Sequence, residues 1–344
     1  ATGKVATTIH SFMGFKVRED YKTGETKISV TNSTTVIQNT LIIIDEASMI
    51  DFELYSLLKK YTHNCKFLYV GDHCQMAPVK EKLSKIYDNK KFFSNLTVPV
   101  RNAGQPALMA LCDQLRTTVE TGVFKPIREV PGVIEYLSGP QMEALVASTF
   151  KDADPNARIL CYRNSQVKAF NYHIRQLRGL PEYYIEGETL VCANAFQTTD
   201  NKLSIEQEVE IVANPQKQFT KKVQDVEFDV YELKIKPKHG TKVFSVMIPV
   251  DEQHFKSLVK WFASKKNWSG YFHMQQNYPD LRPKDACTVY KAQGSTYETV
   301  FVDLEDISTC NHADQVARML YVAGSRPTTK LYLYGRLKPA YCGG

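Results

Sequence analysis

Leu41-Ile42-Ile43-Ile44-Asp45-Glu46-Ala47-Ser48 decides the fold. Four apolar residues in a row predict a strand buried on both faces of a parallel sheet. The strand ends in two adjacent carboxylates. That end is the carboxyl edge of the sheet, where α/β proteins bind ligands. Phe67 to Val70 predicts a second such strand, which runs into Gly71-Asp72-His73-Cys74-Gln75-Met76-Ala77-Pro78-Val79. Adjacent strands bring Gln75 beside Glu46. In nucleotide hydrolysis a first carboxylate holds the Mg²⁺ shell and a second activates water. A glutamine amide can bond both that water and a phosphate oxygen.

The rest of the chain continues the alternation of strand and helix, which predicts parallel α/β layers. From Pro106 to Leu115, the residues Leu108, Leu111, Cys112 and Leu115 make one helical stripe. A turn-rich link runs from Thr121 to Pro131. A second α/β unit opens with a strand from Arg158 to Tyr162. Ser165 is the expected cap of a helix that buries Val167, Phe170, Ile174 and Leu177. That unit resumes with strands Val300 to Leu304 and Leu331 to Tyr334 and the helix Ala313 to Tyr321. Between its halves, Gln207 to Val250 alternates in the β manner, with a turn at Pro237-Lys238-His239-Gly240. An amphipathic helix over Phe255, Leu258, Val259 and Phe262 follows. Residues 200–285 therefore read as a β-rich insertion. Phe15 to Val30 reads as a hairpin turning near Thr23-Gly24.

Composition excludes several classes. The chain has 344 residues, 43% hydrophobic and 23% charged, so it is neither disordered nor collagen-like. No apolar run is long enough for a membrane helix. No basic and then apolar leader opens the sequence, so secretion is not expected. The eight cysteines form no CxxC pair, which predicts reduced thiols in a cytoplasmic setting and disfavours zinc. The net charge of +6 is too small to imply nucleic acid by itself. Its distribution says more. Residues 254–284 hold six basic residues and one acidic residue among Phe255, Trp261, Phe262, Trp268, Tyr271 and Phe272. Cations interleaved with flat rings suit single-stranded nucleic acid, although half of those rings are expected in a core.

Two further segments complete the pattern. Thr288-Val289-Tyr290-Lys291-Ala292-Gln293-Gly294-Ser295 runs into Val300-Phe301-Val302-Asp303-Leu304, and Leu320-Tyr321-Val322-Ala323-Gly324-Ser325-Arg326 joins a helix to a strand. An arginine fixed at such a junction is a candidate finger, because the guanidinium fork matches phosphate oxygens. In this order the segments resemble superfamily 1 DNA helicases, most closely the Dda-type helicases of T-even phages in the RecD-like branch. Asp45-Glu46-Ala47-Ser48 looks like motif II and Gly71-Asp72-His73-Cys74-Gln75 like motif III. Lys291-Ala292-Gln293-Gly294 looks like motif V, and Tyr321 to Arg326 like motif VI. Arg101 lies where the family carries its motif IV arginine. Thr8-Ile9-His10-Ser11 is similar to motif Ib, and Tyr162-Arg163-Asn164 with Asn171 to the opening of the second RecA-like domain.

The resemblance implies two RecA-like parallel-sheet domains. The first spans 1–120, with a strand-separating pin at about 13–36. The second spans 121–199 and 286–344, interrupted by an SH3-like insertion at 200–285. It implies ATP with Mg²⁺, held by Asp45 and Glu46 through water, and ATP-driven 5′-to-3′ translocation on single-stranded DNA in replication or recombination. Glu46 is the expected base, Gln75 the γ-phosphate sensor, and Arg101 and Arg326 the transition-state cations. Gly294 joins them in nucleotide binding. Thr8, His10, Pro78, Asn164, Thr288, Tyr290 and Lys291 are the expected strand contacts. A monomer is expected, with no membrane, and with a single-strand-binding protein or replisome component as a further partner.

Departures from the family pattern are equally specific. GxxxxGK[ST] is absent, and Gly3-Lys4 is followed by Val5. The phosphate cradle is expected upstream of Ala1, and residues 1–344 alone are not expected to hydrolyse ATP. Tyr290 stands where histidine is usual, and Pro327 follows Arg326. Phe15 and Tyr21 are the candidates for an aromatic wedge on the pin. Two alternatives stay open: a non-catalytic single-strand-binding module, and a viral-type RNA helicase.

Overall fold

The computed structural model describes residues 6–19, 26–30, 34–78, 81–88, 92–97, 101–102, 104–152, 155–198, 200–215, 218–238 and 240–343. Gly3-Lys4, Tyr21 and the hairpin turn at Thr23-Gly24 lie outside them.

The first region begins with α1 (Ile9–Met13), capped by the Thr8 hydroxyl, which accepts from the Ser11 N–H at 3.2 Å. β1 (Lys16–Glu19) and β2 (Thr26–Ser29) pair antiparallel. Then come β3 (Ile37–Gln38), β4 (Leu41–Ile44), α2 (Phe52–Lys60), β5 (Thr62–His63) and β6 (Lys66–Tyr69). β4 lies parallel to β6, and β3 to β5. Ile42 and Ile44 pack with Met13, Phe15, Ala47, Ile50 and Leu58.

Two expectations need correction here. Strand side chains alternate between faces, and only one face of β4 and β6 is covered by described residues. Leu41 and Ile43 are each 61% exposed, and Leu68 and Val70 also face outward. Among the described residues these strands are therefore covered on one side. Phe15 is 5% exposed and meets the Tyr61 ring edge-on at 6.0 Å. It is a packing residue and not a projecting wedge.

The second region is built on one parallel sheet. Its elements are α3 (Pro106–Thr121), β7 (Ile134–Leu137), α4 (Gly139–Thr149), β8 (Ala157–Cys161) and α5 (Asn164–Leu177). After an intervening antiparallel sheet, β17 (Ala286–Thr288), β18 (Tyr297–Asp303), α8 (Leu304–Ser308), α9 (Ala313–Gly324) and β19 (Pro327–Tyr334) complete it. The strand order is β17-β8-β18-β19-β7, parallel throughout. Val146, Phe150, Ile159, Val167, Ile174 and Phe301 fill one face. On the other face, Leu108, Leu111 and Leu115 of α3 pack with Val300, Leu320 and Leu331. α3 lies directly on α9, and a Cβ at Gly324 would come within 2.8 Å of Leu115 Cδ1.

α5 also departs from expectation. It starts at Asn164, and Ser165 does not cap it. Instead the Asp306 carboxylate of α8 takes the Tyr162 and Arg163 N–H groups at 2.7 and 2.8 Å. Leu177 is 41% exposed and Cys112 is only half-buried.

The intervening sheet comprises β9 (Thr189–Cys192), the small pair β10 (Phe196–Gln197) and β11 (Lys202–Leu203), then β12 (Glu208–Ala213), β13 (Gln218–Val223), β14 (Val226–Pro237), β15 (Phe244–Pro249) and β16 (Leu281–Pro283). Its main order is β13-β14-β12-β9-β16, with β15 on β14. α6 (Glu252–Ser264) and α7 (Trp268–Asn277) flank it and bury Phe262, Phe272 and Met274. Among the described residues no helix is long and apolar enough to cross a membrane.

Candidate functional site

The acid pair sits where β4 ends. Asp45 Oδ1 accepts the Glu46 N–H at 2.8 Å. Glu46 adopts a left-handed backbone (φ 49°), a costly conformation for a non-glycine residue that structures retain at functional turns. Its Oε2 accepts from Gln293 Nε2 at 3.0 Å. Gly294 follows at φ 80°, and a Cβ there would lie 3.8 Å from Glu46 Oε1. Residues almost 250 positions apart thus share one turn-against-turn contact. Gly71 lets the second loop come equally close: a Cβ would meet the Ala47 and Ser48 nitrogens at 3.1 Å and Tyr87 Oη at 3.0 Å.

Beside this contact a cavity of about 170 Å³ is lined by Gln75, Arg101, Asn102, Cys112, Tyr321 and Arg326, among others. Arg326 is 1% exposed. Its guanidinium is held by the Val322 and Ser295 carbonyls, both at 3.1 Å, and by Ser325 Oγ at 2.7 Å. Burial, and then the neighbouring charge of Arg101, push its pKa down to about 10. The Glu46 carboxylate acts in the opposite sense. Arg101 is exposed and donates to the Ser325 carbonyl at 3.3 Å. Among the described residues neither arginine makes an ion pair. Gln75 Oε1 and Gln293 Oε1 are buried without a hydrogen-bond partner. Such an orphaned acceptor costs about 1–3 kcal/mol until a donor arrives. Two adjacent unneutralised cations and two unsatisfied amides suit a polyanion with an attendant water.

A clasp that sequence reasoning missed holds this cavity together. Tyr321 Oη donates to Asp72 Oδ2 at 2.6 Å, and Arg116 Nη1 donates to Oδ1 at 2.9 Å. Burial alone would raise the Asp72 pKa. Hydrogen bonds from Tyr321 and the Cys74 N–H, with the Arg116 charge, bring it below its ordinary value instead. Arg318 donates to the carbonyls of His73 and Gln75 at 2.5 and 2.6 Å. The Gln75 loop is therefore fastened to α9 by side chain and backbone alike. Tyr321 stood inside a quoted segment, but its role depends on a partner 249 positions away. Arg116 and Arg318 carried no motif signal.

Asp72, His73 and Cys74 also lie close enough together to share a metal ion. Both Asp72 oxygens are already engaged, the Arg116 guanidinium abuts the group, and burial pushes the Cys74 thiol up to about 12. The arrangement is that of an ion-pair cluster.

Most of the expected strand contacts are engaged within the protein. Thr8 serves as the cap of α1, and the His10 ring lies edge-on to Phe15 at 6.3 Å. Pro78 and Thr288 are buried. Asn164 Oδ1 accepts from Arg282 at 3.0 Å. Lys291 is tied to Glu206 at 2.5 Å. Tyr290 is 38% exposed, and burial pushes its pKa up to about 12.

Comparisons with known proteins fit this geometry. Residues 1–81 match an AAA domain model, and residues 285–334 match a UvrD-like helicase C-terminal domain model. The first match contains the acid pair, and the second contains the Gln293-Gly294 turn. They support a superfamily 1 helicase. An uncharacterised protein, R530, of Acanthamoeba polyphaga mimivirus is 21% identical over 94% of this chain and 81% of its own length. A Pif1 helicase solved in work on DNA unwinding at forked dsDNA by two coordinating Pif1 helicases superposes with a TM-score of 0.51 at 13% identity, covering 97% of this chain and 79% of that one. This likeness is one of fold. The Pif1 helicase from Bacteroides in complex with ADP-AlF3 and ssDNA gives a TM-score of 0.45 at 13% identity, covering 88% and 71%.

Proposed function

We propose that the protein is an ATP-driven helicase that translocates 5′-to-3′ on single-stranded DNA, of the Dda and RecD-like type, acting in replication or recombination. The observation that carries this reading is the convergence of Arg101, Arg326 and Gln75 on one cavity, with Glu46 next to it on Gln293. The polyanion would be the phosphate chain of ATP, the part of the nucleotide suited to a small cavity between two arginines. In this reading, Asp45 and Glu46 would hold Mg²⁺, and the ion would supply charge neutralisation on the phosphates. Glu46 accepts the proton of the attacking water, and Gln293 orients the Glu46 carboxylate. Gln75 bonds that water or the terminal phosphate. Arg101 and Arg326 stabilise the charge that develops on the transferring group.

Movement follows from the clasp. Gln75 reports on the phosphate, and its loop is fixed to α9 through Asp72 and Arg318. A change at the phosphate shifts α9 and the strand-contacting segments differently in each nucleotide state, which is what coupling requires. The hairpin of β1 and β2 acts as the pin, and the β-rich segment 200–285 acts as the SH3-like insertion. The test is strand-stimulated ATP hydrolysis by the intact gene product. Stimulation by single-stranded DNA, lost in Arg101→Ala, supports the reading. Equal stimulation by RNA favours the viral-type alternative, and strand binding without hydrolysis favours the non-catalytic module.

A further inference from the structure

A far larger cavity, about 1380 Å³ and half-open, lies between α5, the antiparallel sheet and helices α6 and α7. It exceeds the roughly 300–1,000 Å³ of ordinary small-molecule sites. Its walls are rich in rings. Tyr172 and Tyr183 stand at it 51% and 52% exposed, and neither stacks on another ring among the described residues. Tyr231, Phe255 and Tyr271 lie deeper. Five cationic side chains line it against three carboxylates.

The way those charges pair shows where the surplus lies. Arg282 is forked onto Asp280 at 2.8 and 2.6 Å. Arg175 is bound to Glu188 and to the Tyr183 carbonyl, which fixes the backbone that carries the Tyr183 ring. Lys168 and Lys256 share the single Glu252 carboxylate. Burial holds the Lys168 ammonium below its ordinary range, although Glu252 acts in the opposite sense. Lys260, exposed at the rim, makes no ion pair among the described residues. A half-open, ring-lined cavity with a small cationic surplus matches the chemistry of unpaired bases on a phosphate chain.

We infer that this cavity is a second single-strand site, distinct from the strand contacts at Tyr290 and Lys291, and that it takes the strand set free by unwinding. The inference rests on the helicase reading, because unwinding yields two unpaired strands. Tyr172 and Tyr183 stack on bases, and Lys260 with the Lys168 and Lys256 pair meets phosphates.

The test compares forked duplexes carrying two unpaired tails or one, by anisotropy at fixed salt. The wild type binds the two-tailed fork more tightly. Tyr172→Ala/Tyr183→Ala loses that advantage, about 30-fold for two stacked bases, and binds the one-tailed fork as the wild type does. Both tyrosines are exposed, so the variant folds. Lys260→Glu gives a smaller loss of the same kind. Lys291→Ala weakens both forks and so reports on the first strand site. Unchanged affinity of the double variant for the two-tailed fork, while Lys291→Ala still binds poorly, overturns the second site alone. Failure of the wild type to bind either fork overturns the strand-binding reading and this inference with it.

Discussion

Tyr321 Oη lies 2.6 Å from Asp72 Oδ2 and joins the helix that leads into Arg326 to the loop that carries Gln75. Tyr321→Phe keeps the ring and removes the donor to an ionised, half-buried carboxylate. The expected loss is about 1.5–3 kcal/mol of stability, read by chemical denaturation. Strand stimulation of hydrolysis falls further than basal hydrolysis does. Equal loss in both rates would reduce the tyrosine to a packing residue.

Acid titrates the same clasp. The Asp72 pKa is depressed in the folded protein from its ordinary 3.8, so the folded state binds fewer protons there. The contribution of Asp72 to stability is complete above that ordinary value and is lost as pH falls through the lower folded value. Asp72→Asn should be less stable than the wild type near pH 7, with the gap closing below about pH 4. Thermal melts across that range check the sign.

Glu46→Gln tests the assigned base. Gln293 can still donate to the new amide oxygen, so the local contact survives. Hydrolysis by the intact gene product should fall by about 10²–10⁴-fold with strand affinity unchanged. Normal turnover would dismiss Glu46 as the base.

Lys291 is masked by Glu206 at 2.5 Å. Glu206→Gln frees the ammonium for phosphate and should tighten single-strand binding. The slope of log affinity against log salt should steepen by about 0.7, one additional phosphate contact on a single strand. An unchanged slope would place Lys291 off the strand path.

What the sequence revealed follows from range. The α/β alternation, the parallel strands and the acid pair at a strand end are local patterns, and β4, β8, β18 and α9 form close to where periodicity predicts them. Glu46, Gln75, Arg101 and Arg326 were legible as residue types in ordered segments, and the structure brings them around adjoining turns. The clasp was not legible, because Asp72, Arg116, Arg318 and Tyr321 meet only through tertiary packing of α3 and α9. The exposed Leu41 and Ile43 were misjudged because an unbroken apolar run cannot show which of its faces is covered. Ser165 was expected to cap α5, but Asp306, more than 140 positions away, binds the N–H groups of Tyr162 and Arg163 just before the helix.

The central claim is that two guanidinium groups close on one phosphate. Arg101 is exposed and holds only the Ser325 carbonyl among the described residues, so Arg101→Ala perturbs little else. Single-turnover hydrolysis of ATP by the intact gene product, saturated with single-stranded DNA, is the most direct measurement. The account predicts a fall on the order of 10³-fold or more with strand affinity kept. A rate equal to the wild type would contradict it.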